Sequence, residues 1–201
     1  MEAAVLVPIK AFGDAKVRLA PDLDGPTRRR LARFMAERVL AAAAPLPTFV
    51  ACDDEEVATW ADDHGAEVLW GPGLGLNGAI DQGTATIAGK GADHVVVTHS
   101  DLPLATSFAP LLRPGRVLIV PDRRSDGTNV LVRPCATVVP AEYGAGSYER
   151  HLAAALASGA AVTVRRDPVL SVDVDTIDDC RHPMISAVLA PFLPAAGIGD
   201  R

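Results

Sequence analysis

The sequence is short of cysteine and of positive charge and has no long apolar run, and each shortage excludes a class of protein. Its three cysteines, Cys52, Cys135 and Cys180, lie far apart without C-x-x-C spacing, so neither a disulfide framework nor a structural zinc site is indicated. The 19 basic residues are outnumbered by 25 acidic ones, and the net charge of −6 disfavours nucleic acid and anionic membranes as partners. No apolar run approaches the ~20 residues of a membrane span, and no basic region of a secretion signal precedes the first run. We therefore expect a cytoplasmic protein that binds small molecules, as a monomer or a homodimer.

The sequence does contain many short apolar runs with helical patterns between them. Hydrophobic residues make up 49% of its 201 residues, which is enough for one substantial core. The runs predict strands at 3–9, 48–52, 67–70, 94–98, 117–120, 129–132, 162–164 and 170–174. The helical patterns predict helices from near Pro26 and at 55–64, 78–88, 147–158 and 176–189. This alternation is typical of a single α/β domain with a largely parallel sheet over 1–193, followed by a frayed tail at 194–201.

Several residues predict how the helices begin, end and face solvent. Asn77 and Ser147 stand where N-caps are expected, and Pro183 is expected to kink or split the last helix. One face of the first helix carries Arg28, Arg29, Arg30, Arg33 and Arg38. This run is compatible with an anion site, but a solvated helix face is the favoured interpretation.

Carboxylates follow two of the predicted strands. Asp101 comes shortly after the strand at 94–98, and Asp173 and Asp175 alternate with two valines in the run 170–174 and just beyond it. Residues two apart in a strand share a face, so these two carboxylates would lie side by side while the valines enter the core. Such a pair is best tolerated near a cation, and Mg²⁺ takes carboxylate oxygens while keeping positions for substrate phosphates. We predict a Mg²⁺ site with Asp101 as the third carboxylate; solvated turn acids are the alternative.

Glycines and cations follow other predicted strands. Residues 73–78 read GLGLNG, a literal G-x-G-x-x-G, but they follow the third predicted strand and the next strand ends on Thr98, so NAD binding is disfavoured. The segment is expected to hold a base or phosphate, or to be an ordinary turn. Lys10, Lys16 and Arg18 follow the first strand and could neutralise a triphosphate, with surface cations as the alternative. No G-x-x-x-x-G-K-[ST] is present, which excludes a P-loop NTPase.

The segment EYGAGSYERH at 142–151 has two glycines before Ser147 and a predicted helix start. Backbone N–H groups and a hydroxyl at a helix N-terminus form a cradle for a small phosphorylated or carboxylated ligand. His151 lies about one turn into that helix, where we expect a packing or surface role and not a catalytic one. Covalent catalysis has no support, because the cysteines are isolated and no G-x-S-x-G occurs.

Taken in order, six segments resemble the phospholactate and phosphoenolpyruvate guanylyltransferase family of coenzyme F-420 biosynthesis. These segments are PIKAFGDAKVRL at 8–19, GLN at 75–77, SDLP at 100–103, DGTNVL at 126–131, YGAGSYERH at 143–151 and DVDTIDD at 173–179. The family belongs to the molybdenum-cofactor-guanylyltransferase-like nucleotidyltransferases. The resemblance implies a Rossmann-like nucleotidyltransferase fold, with a mostly parallel, mixed central sheet flanked by helices. It implies transfer of GMP from GTP to phosphoenolpyruvate or 2-phospho-L-lactate, with release of pyrophosphate.

The resemblance also implies roles for individual residues. Asp101, Asp173 and Asp175 would ligate Mg²⁺, with Asp101 and Lys16 at the catalytic centre. Thr128, Gly144 and Ser147 would bind the phosphorylated three-carbon acid. Lys10, Lys16, Arg18, Leu76, Asn77 and Gly78 would face GTP. The sequence departs from the family at Cys135-Ala136, where prolines are expected, and at Cys180, where leucine is expected, and neither departure falls on a proposed ligand.

Two other functions remain open from the residues alone. A metal-dependent sugar-nucleotide glycosyltransferase uses similar D-x-D chemistry on an α/β fold. A non-catalytic nucleotide-binding domain would bind without turnover, and the presence of all three acids argues against it.

Overall fold

The computed structural model describes residues 2–137 and 139–194, so the predicted tail lies outside the described residues except for Pro194. The strands are β1 (Ala3–Pro8), β2 (Thr48–Cys52), β3 (Glu67–Trp70), β4 (His94–Thr98), β5 (Arg116–Pro121), β6 (Thr128–Pro134) and β7 (Ala161–Val164). The helices are α1 (Gly25–Ala43), α2 (Glu55–Asp63), α3 (Gly75–Gly89), α4 (Ser147–Ala157), α5 (Ile177–Cys180) and α6 (Ser186–Leu189). Short 3₁₀ turns lie at Phe12–Asp14, Val17–Leu19, Ala109–Leu111 and Ala190–Phe192.

The strands form one sheet in the order β3-β2-β1-β4-β6-β5-β7. Neighbouring strands are parallel except around β6, which runs antiparallel to both β4 and β5. The prediction of a mostly parallel, mixed sheet is therefore confirmed. The chain moves outward from β1 through β2 to β3 and then returns to place β4 on the other side of β1. The carboxyl ends of β1 and β4 thus form a topological switch point, where ligands gather in open α/β sheets.

Apolar side chains cover both faces of the sheet. One core cluster joins strand residues such as Val5 and Val50 to α1 and α2, and the other joins Leu6 and Val97 to α3. This two-sided burial explains why the central strands read as continuous apolar runs. Helix α3 packs tightly on β1 at Gly83, where an added Cβ would lie 2.9 Å from Cδ2 of Leu6.

The predicted strand at 170–174 is wrong. Asp167 accepts the N–H groups of Val169 and Leu170, and the turn that it stabilises leads the following residues away from any strand ladder. The predicted alternation nevertheless holds, because Val172 and Val174 are buried in a third core cluster against α1. The acidic segment, residues 170–176, is therefore held by its buried valines and not by pairing with a strand of the sheet.

Two predicted N-caps are also wrong, whereas the predicted break at Pro183 is confirmed. Helix α3 begins at Gly75, so Asn77 lies inside its first turn and bonds to a distant loop instead. Gly146, with φ of 71°, caps α4, and the hydroxyl of Ser147 accepts a backbone N–H from β6. The region 176–189 forms the two short helices α5 and α6, with Pro183 between them.

The remaining surface features agree with the solvated interpretation of the arginine run. Arg29 and Arg33 both pair with Glu56 of α2, which is the pattern of an exposed helix face. The three cysteines are free thiols. Within the part of the chain that the structure describes, no helix is both long and apolar enough to cross a membrane.

Candidate active site

A cleft of about 340 Å³ lies at the carboxyl ends of β1 and β4, the switch point of the sheet. Its polar side includes Lys10, Lys16, Arg18, Asp101 and Asp175, all of them predicted site residues. Its apolar wall includes Ile9, Phe12, Ala32, Met35 and Leu76. A cleft lined by both apolar and charged side chains suits a nucleotide, which has a flat base and an anionic phosphate chain.

Lys16 connects carboxylates from two distant parts of the chain. Its Nζ forms a hydrogen-bonded ion pair with Oδ2 of Asp101 and lies 3.4 Å from Oδ1 of Asp175. Arg18 Nη1 approaches the other oxygen of Asp175 at 3.2 Å. The Lys16 and Asp101 side chains are 11% and 17% exposed. Two cations and two carboxylates thus form a single network at the cleft.

Burial and ion pairing act in opposite directions on this pair. Burial alone would lower the pKa of Lys16, but Asp101 and Asp175 raise it above its ordinary value. Burial would likewise raise the pKa of Asp101, but Lys16 and His99 hold it below its ordinary value. Both groups are therefore charged at neutral pH.

The backbone at Lys16 is unusual. The residue lies between two 3₁₀ turns with φ of 56° and ψ of 41°, a left-handed conformation that few residues with a Cβ adopt. Such conformations cost about 1–3 kcal/mol and are concentrated at functional sites. The conformation lets the side chain reach the two carboxylates while Val17 beside it stays exposed.

Asp173 does not line the cleft, but its carboxyl group interacts electrostatically with Asp101 and Asp175, which do. Burial, together with the negative charges of Asp101 and Asp175, raises the pKa of Asp173 to about 6. Asn129 acts in the opposite direction on the pKa of Asp173, and its buried side chain donates to the carbonyl of Leu170 at 3.0 Å. Asn129 therefore ties the acidic segment to β6, a role that no local sequence signal predicts.

The residues present fit the chemistry of Mg²⁺. All candidate donors are carboxylate oxygens, and Oδ1 of Asp101 is buried without a hydrogen-bond partner among the described residues. Across residues 2–137 and 139–194, no three His, Cys, Asp or Glu side chains converge closely enough to enclose a metal ion. A bound Mg²⁺ would accordingly depend on substrate phosphates for part of its shell, and the predicted ligation stays a prediction.

A capping box holds Asp175 in place. Thr176 caps α5, and Oδ2 of Asp179 accepts the backbone N–H groups of Asp175 and Thr176. The other oxygen of this nearly buried carboxylate pairs with Arg123 and Arg124. The T-x-x-D pattern was visible in the sequence, but the two arginines come from a different part of the chain.

The predicted acid-binding residues lie together, outside the main cleft. Thr128 and Ser147 are 1% and 2% exposed, and the backbone N–H of Thr128 donates to Oγ of Ser147 at 3.0 Å. Gly144 is exposed, with φ of 123°, and its carbonyl accepts the N–H of Ser147. Part of the predicted backbone cradle is thus used within the protein. The hydroxyl groups of Thr128 and Ser147 are the remaining side-chain donors of this set.

Edge-on aromatic contacts and the amide side chain of Asn77 connect the region of Thr128, Gly144 and Ser147 to the cleft. His99 lines the cleft and packs edge-on against Tyr143 at 5.2 Å, and Tyr143 packs on His151 at 4.6 Å. The Asn77 side chain accepts the N–H of Tyr143 at 2.8 Å. The predicted Gly78 lies in the same first part of α3, beside Leu74. Sequence reasoning missed His99 and Ser100, although both directly precede Asp101.

Comparison with known proteins agrees with this geometry. A family model described as "Guanylyl transferase CofC like" matches residues 3–187. The chain is 33% identical over 189 residues to the phosphoenolpyruvate guanylyltransferase of Sphaerobacter thermophilus, covering 89% of this chain and 91% of that protein. It is 31% identical over 188 residues to the 2-phospho-L-lactate guanylyltransferase of Methanothermobacter thermautotrophicus, covering 89% and 82%.

Solved structures show the same fold at lower identity. A crystal structure from Desulfovibrio desulfuricans G20, described as a nucleotide-diphospho-sugar transferase, matches with a TM-score of 0.75 at 18% identity over 95% of both chains. A nucleotidyl transferase from Methanothermobacter matches with a TM-score of 0.61 at 15% identity, covering 94% of this chain and 99% of that one. These neighbours confirm the predicted fold class, and the sequence matches decide the family. The chain belongs to the CofC-like guanylyltransferases.

Proposed function

We propose that this protein transfers GMP from GTP to the phosphate of phosphoenolpyruvate or 2-phospho-L-lactate, releasing pyrophosphate, in coenzyme F-420 biosynthesis. The observation that carries the proposal is the network of Lys16, Asp101 and Asp175 at the switch point of the sheet. The relatives of the chain support it, because they are named as guanylyltransferases of these two acids. Identity to the two kinds of relative is similar, at 33% and 31%, so it does not choose the acid.

The reaction joins two polyanions. A phosphate oxygen of the small acid attacks the α-phosphorus of GTP, the P–O bond to the β-phosphate breaks, and pyrophosphate leaves with the bonding electrons. Because the attacking oxygen is already anionic, no general base is needed. The enzyme must align the two anions and neutralise their charge.

The cleft supplies both requirements. Lys10, Lys16 and Arg18 line the cleft, where they would neutralise the triphosphate, and Leu76 lines it too and would lie beside the nucleoside. Asp101, with Asp173 and Asp175, would hold Mg²⁺. When bound, Mg²⁺ would stabilise negative charge on the attacking and leaving oxygens. Lys16 would then exchange part of its carboxylate pairing for phosphate oxygens.

A sugar-nucleotide glycosyltransferase is the competing function. It shares the fold, and one structural neighbour carries such a description, but that likeness stands at 18% identity and bears on the fold alone. The relatives with more than 30% identity over most of the chain favour nucleotidyl transfer instead.

A substrate panel tests the proposal. Purified protein is incubated with MgCl₂, each of the four NTPs in turn, and a set of phosphorylated three-carbon acids, and pyrophosphate is measured. We expect release only when GTP is combined with phosphoenolpyruvate or 2-phospho-L-lactate, and none without divalent cation. Turnover of a nucleotide-sugar without pyrophosphate release from any NTP would instead support the glycosyltransferase.

A further inference from the structure

His151 is completely buried, and both of its ring nitrogens are hydrogen-bonded. Its Nε2 lies 3.1 Å from the backbone nitrogen of Glu142, and its Nδ1 lies 2.9 Å from Oγ1 of Thr128. The ring therefore joins α4 to the first residue of β6. Neither contact involves the cleft directly.

The Glu142 contact fixes the tautomer of this ring. A backbone N–H can only donate, so Nε2 must present its lone pair. Burial, with the nearby charge of Arg150, lowers the pKa of His151 to about 4, so the ring is neutral at physiological pH. A neutral imidazole has one N–H, which must then lie on Nδ1. His151 consequently donates to the hydroxyl oxygen of Thr128.

This leaves the hydroxyl hydrogens of Thr128 and Ser147 unused. Oγ1 of Thr128 accepts from His151, and Oγ of Ser147 accepts the N–H of Thr128. Within 2–137 and 139–194, neither hydroxyl has an acceptor for its own hydrogen, although both side chains are nearly fully buried. Buried hydroxyl groups normally donate to an acceptor, so two unused donors side by side indicate an anionic ligand.

We propose that His151 is a positioning residue for the phosphorylated acid, setting the hydroxyl of Thr128 so that its hydrogen points to an anionic oxygen of that substrate. The proposal rests on the proposed function. If Nδ1 presented a lone pair instead, it would take the Thr128 hydrogen and leave only an oxygen lone pair for the ligand. Gly144, whose carbonyl accepts the N–H of Ser147, is an exposed residue next to these hydroxyls.

Two substitutions at His151 separate the contacts. His151→Asn keeps an N–H near the position of Nδ1, whereas His151→Gln places its amide near Nε2 and loses the donor to Thr128. We expect His151→Gln to raise KM for the acid about tenfold, the lower end for a hydrogen bond to a charged group, with GTP KM and kcat nearly unchanged. His151→Asn should stay within about threefold of wild type for all three constants. Calorimetric binding of phosphoenolpyruvate to protein saturated with a non-hydrolysable GTP analogue should follow the same order.

His94 offers a matched control. Its Nε2 also accepts a backbone N–H, from Gly115 at 3.3 Å, but it lies at the opposite end of β4. His94→Gln should leave KM for the acid unchanged. A double variant with Thr128→Val and His151→Gln should be no worse for the acid than Thr128→Val alone, because both remove the same contact.

Several results would overturn the proposal. These are equal effects of His151→Gln and His151→Asn, equal rises in KM for GTP and for the acid, or additive effects in the double variant. If His151→Gln does not fold, Thr128→Val and Thr128→Ser replace it, and an equal acid KM in these two would overturn the proposal. The proposed function fails separately, when wild type releases no pyrophosphate from GTP with either acid.

Discussion

Replacing Lys16 by methionine removes the cation that joins Asp101 to Asp175 while keeping an unbranched apolar side chain. Breaking a fully buried ion pair costs about 3–5 kcal/mol, because the remaining charge is left without a partner. The Lys16 and Asp101 side chains retain 11% and 17% exposure, and Arg18 still lies beside Asp175, so the cost should be smaller. We expect a loss of about 2 kcal/mol in the free energy of unfolding.

Thermal unfolding measures this loss with and without divalent cation. At about 2–4 °C for each kcal/mol in a chain of this size, Lys16→Met should lower Tm by about 4–8 °C in EDTA. Millimolar MgCl₂ should reduce the difference, because carboxylates freed from Lys16 bind the cation and binding stabilises the folded state. Activity, which is measured in MgCl₂, should fall, since the triphosphate loses a partner.

Lys90→Met is the matched control. Lys90 pairs with Glu67 at 3.0 Å on the surface, with both side chains about half exposed, and such pairs contribute less than about 1 kcal/mol. A Tm for Lys16→Met equal to that of Lys90→Met in EDTA would refute the energetic account of the pair. A difference in Tm between wild type and Lys16→Met that MgCl₂ does not change would refute cation binding by the freed carboxylates.

Two further predictions concern the fold around the site. Burial alone would raise the pKa of Asp179, but hydrogen bonds from Thr176 and the backbone and the charge of Arg124 hold it below its ordinary value. The stabilisation that the Asp179 carboxylate gives the fold is therefore complete above its unfolded pKa of about 3.9 and is lost as pH falls further. The difference in free energy of unfolding between wild type and Asp179→Asn, measured with urea, should narrow below about pH 4. A difference that does not depend on pH would contradict this. Gly83→Ala should cost about 1 kcal/mol by thermal unfolding, because its Cβ would meet Leu6 at 2.9 Å and overpacking outweighs the better helix propensity of alanine. Gly89→Ala in the same helix has open space around it and should be neutral or stabilising, and equal effects of the two would contradict the packing argument.

The sequence predicts the strands best where the signal is local. The apolar runs of β2, β3 and β4 end at turn residues, and their observed bounds match the predicted ones. The run at 170–174 has the same alternation but no neighbouring strand, because the turn at Asp167 directs it away from the sheet. Alternation reports which side chains are buried and does not report which backbone groups pair. The Asn77 cap failed for a related reason, since Gly75 allowed α3 to begin earlier.

The same limit applies to the site. Lys16, Asp101 and Asp175 were predicted because each follows an apolar run at the ligand edge, and the structure brings them together. Asn129 and His151 were not predicted as contributors, because their roles depend on bonds to Leu170 and Thr128, which are distant in the chain. The tautomer of His151 and the direction of the Thr128 hydroxyl follow only from the full set of their hydrogen-bond partners, which the structure supplies and the sequence does not.

Transfer of labelled phosphorus tests the central claim most directly. GTP labelled at the α-phosphate is incubated with phosphoenolpyruvate and MgCl₂, using wild type, Asp175→Asn and, as a control, Asp178→Asn, whose side chain is 87% exposed. Wild type and Asp178→Asn should move the label into a guanylated acid, with one pyrophosphate released for each product, while Asp175→Asn should form none although it remains folded. Label released only as GMP, or equal product from all three proteins, would contradict the account.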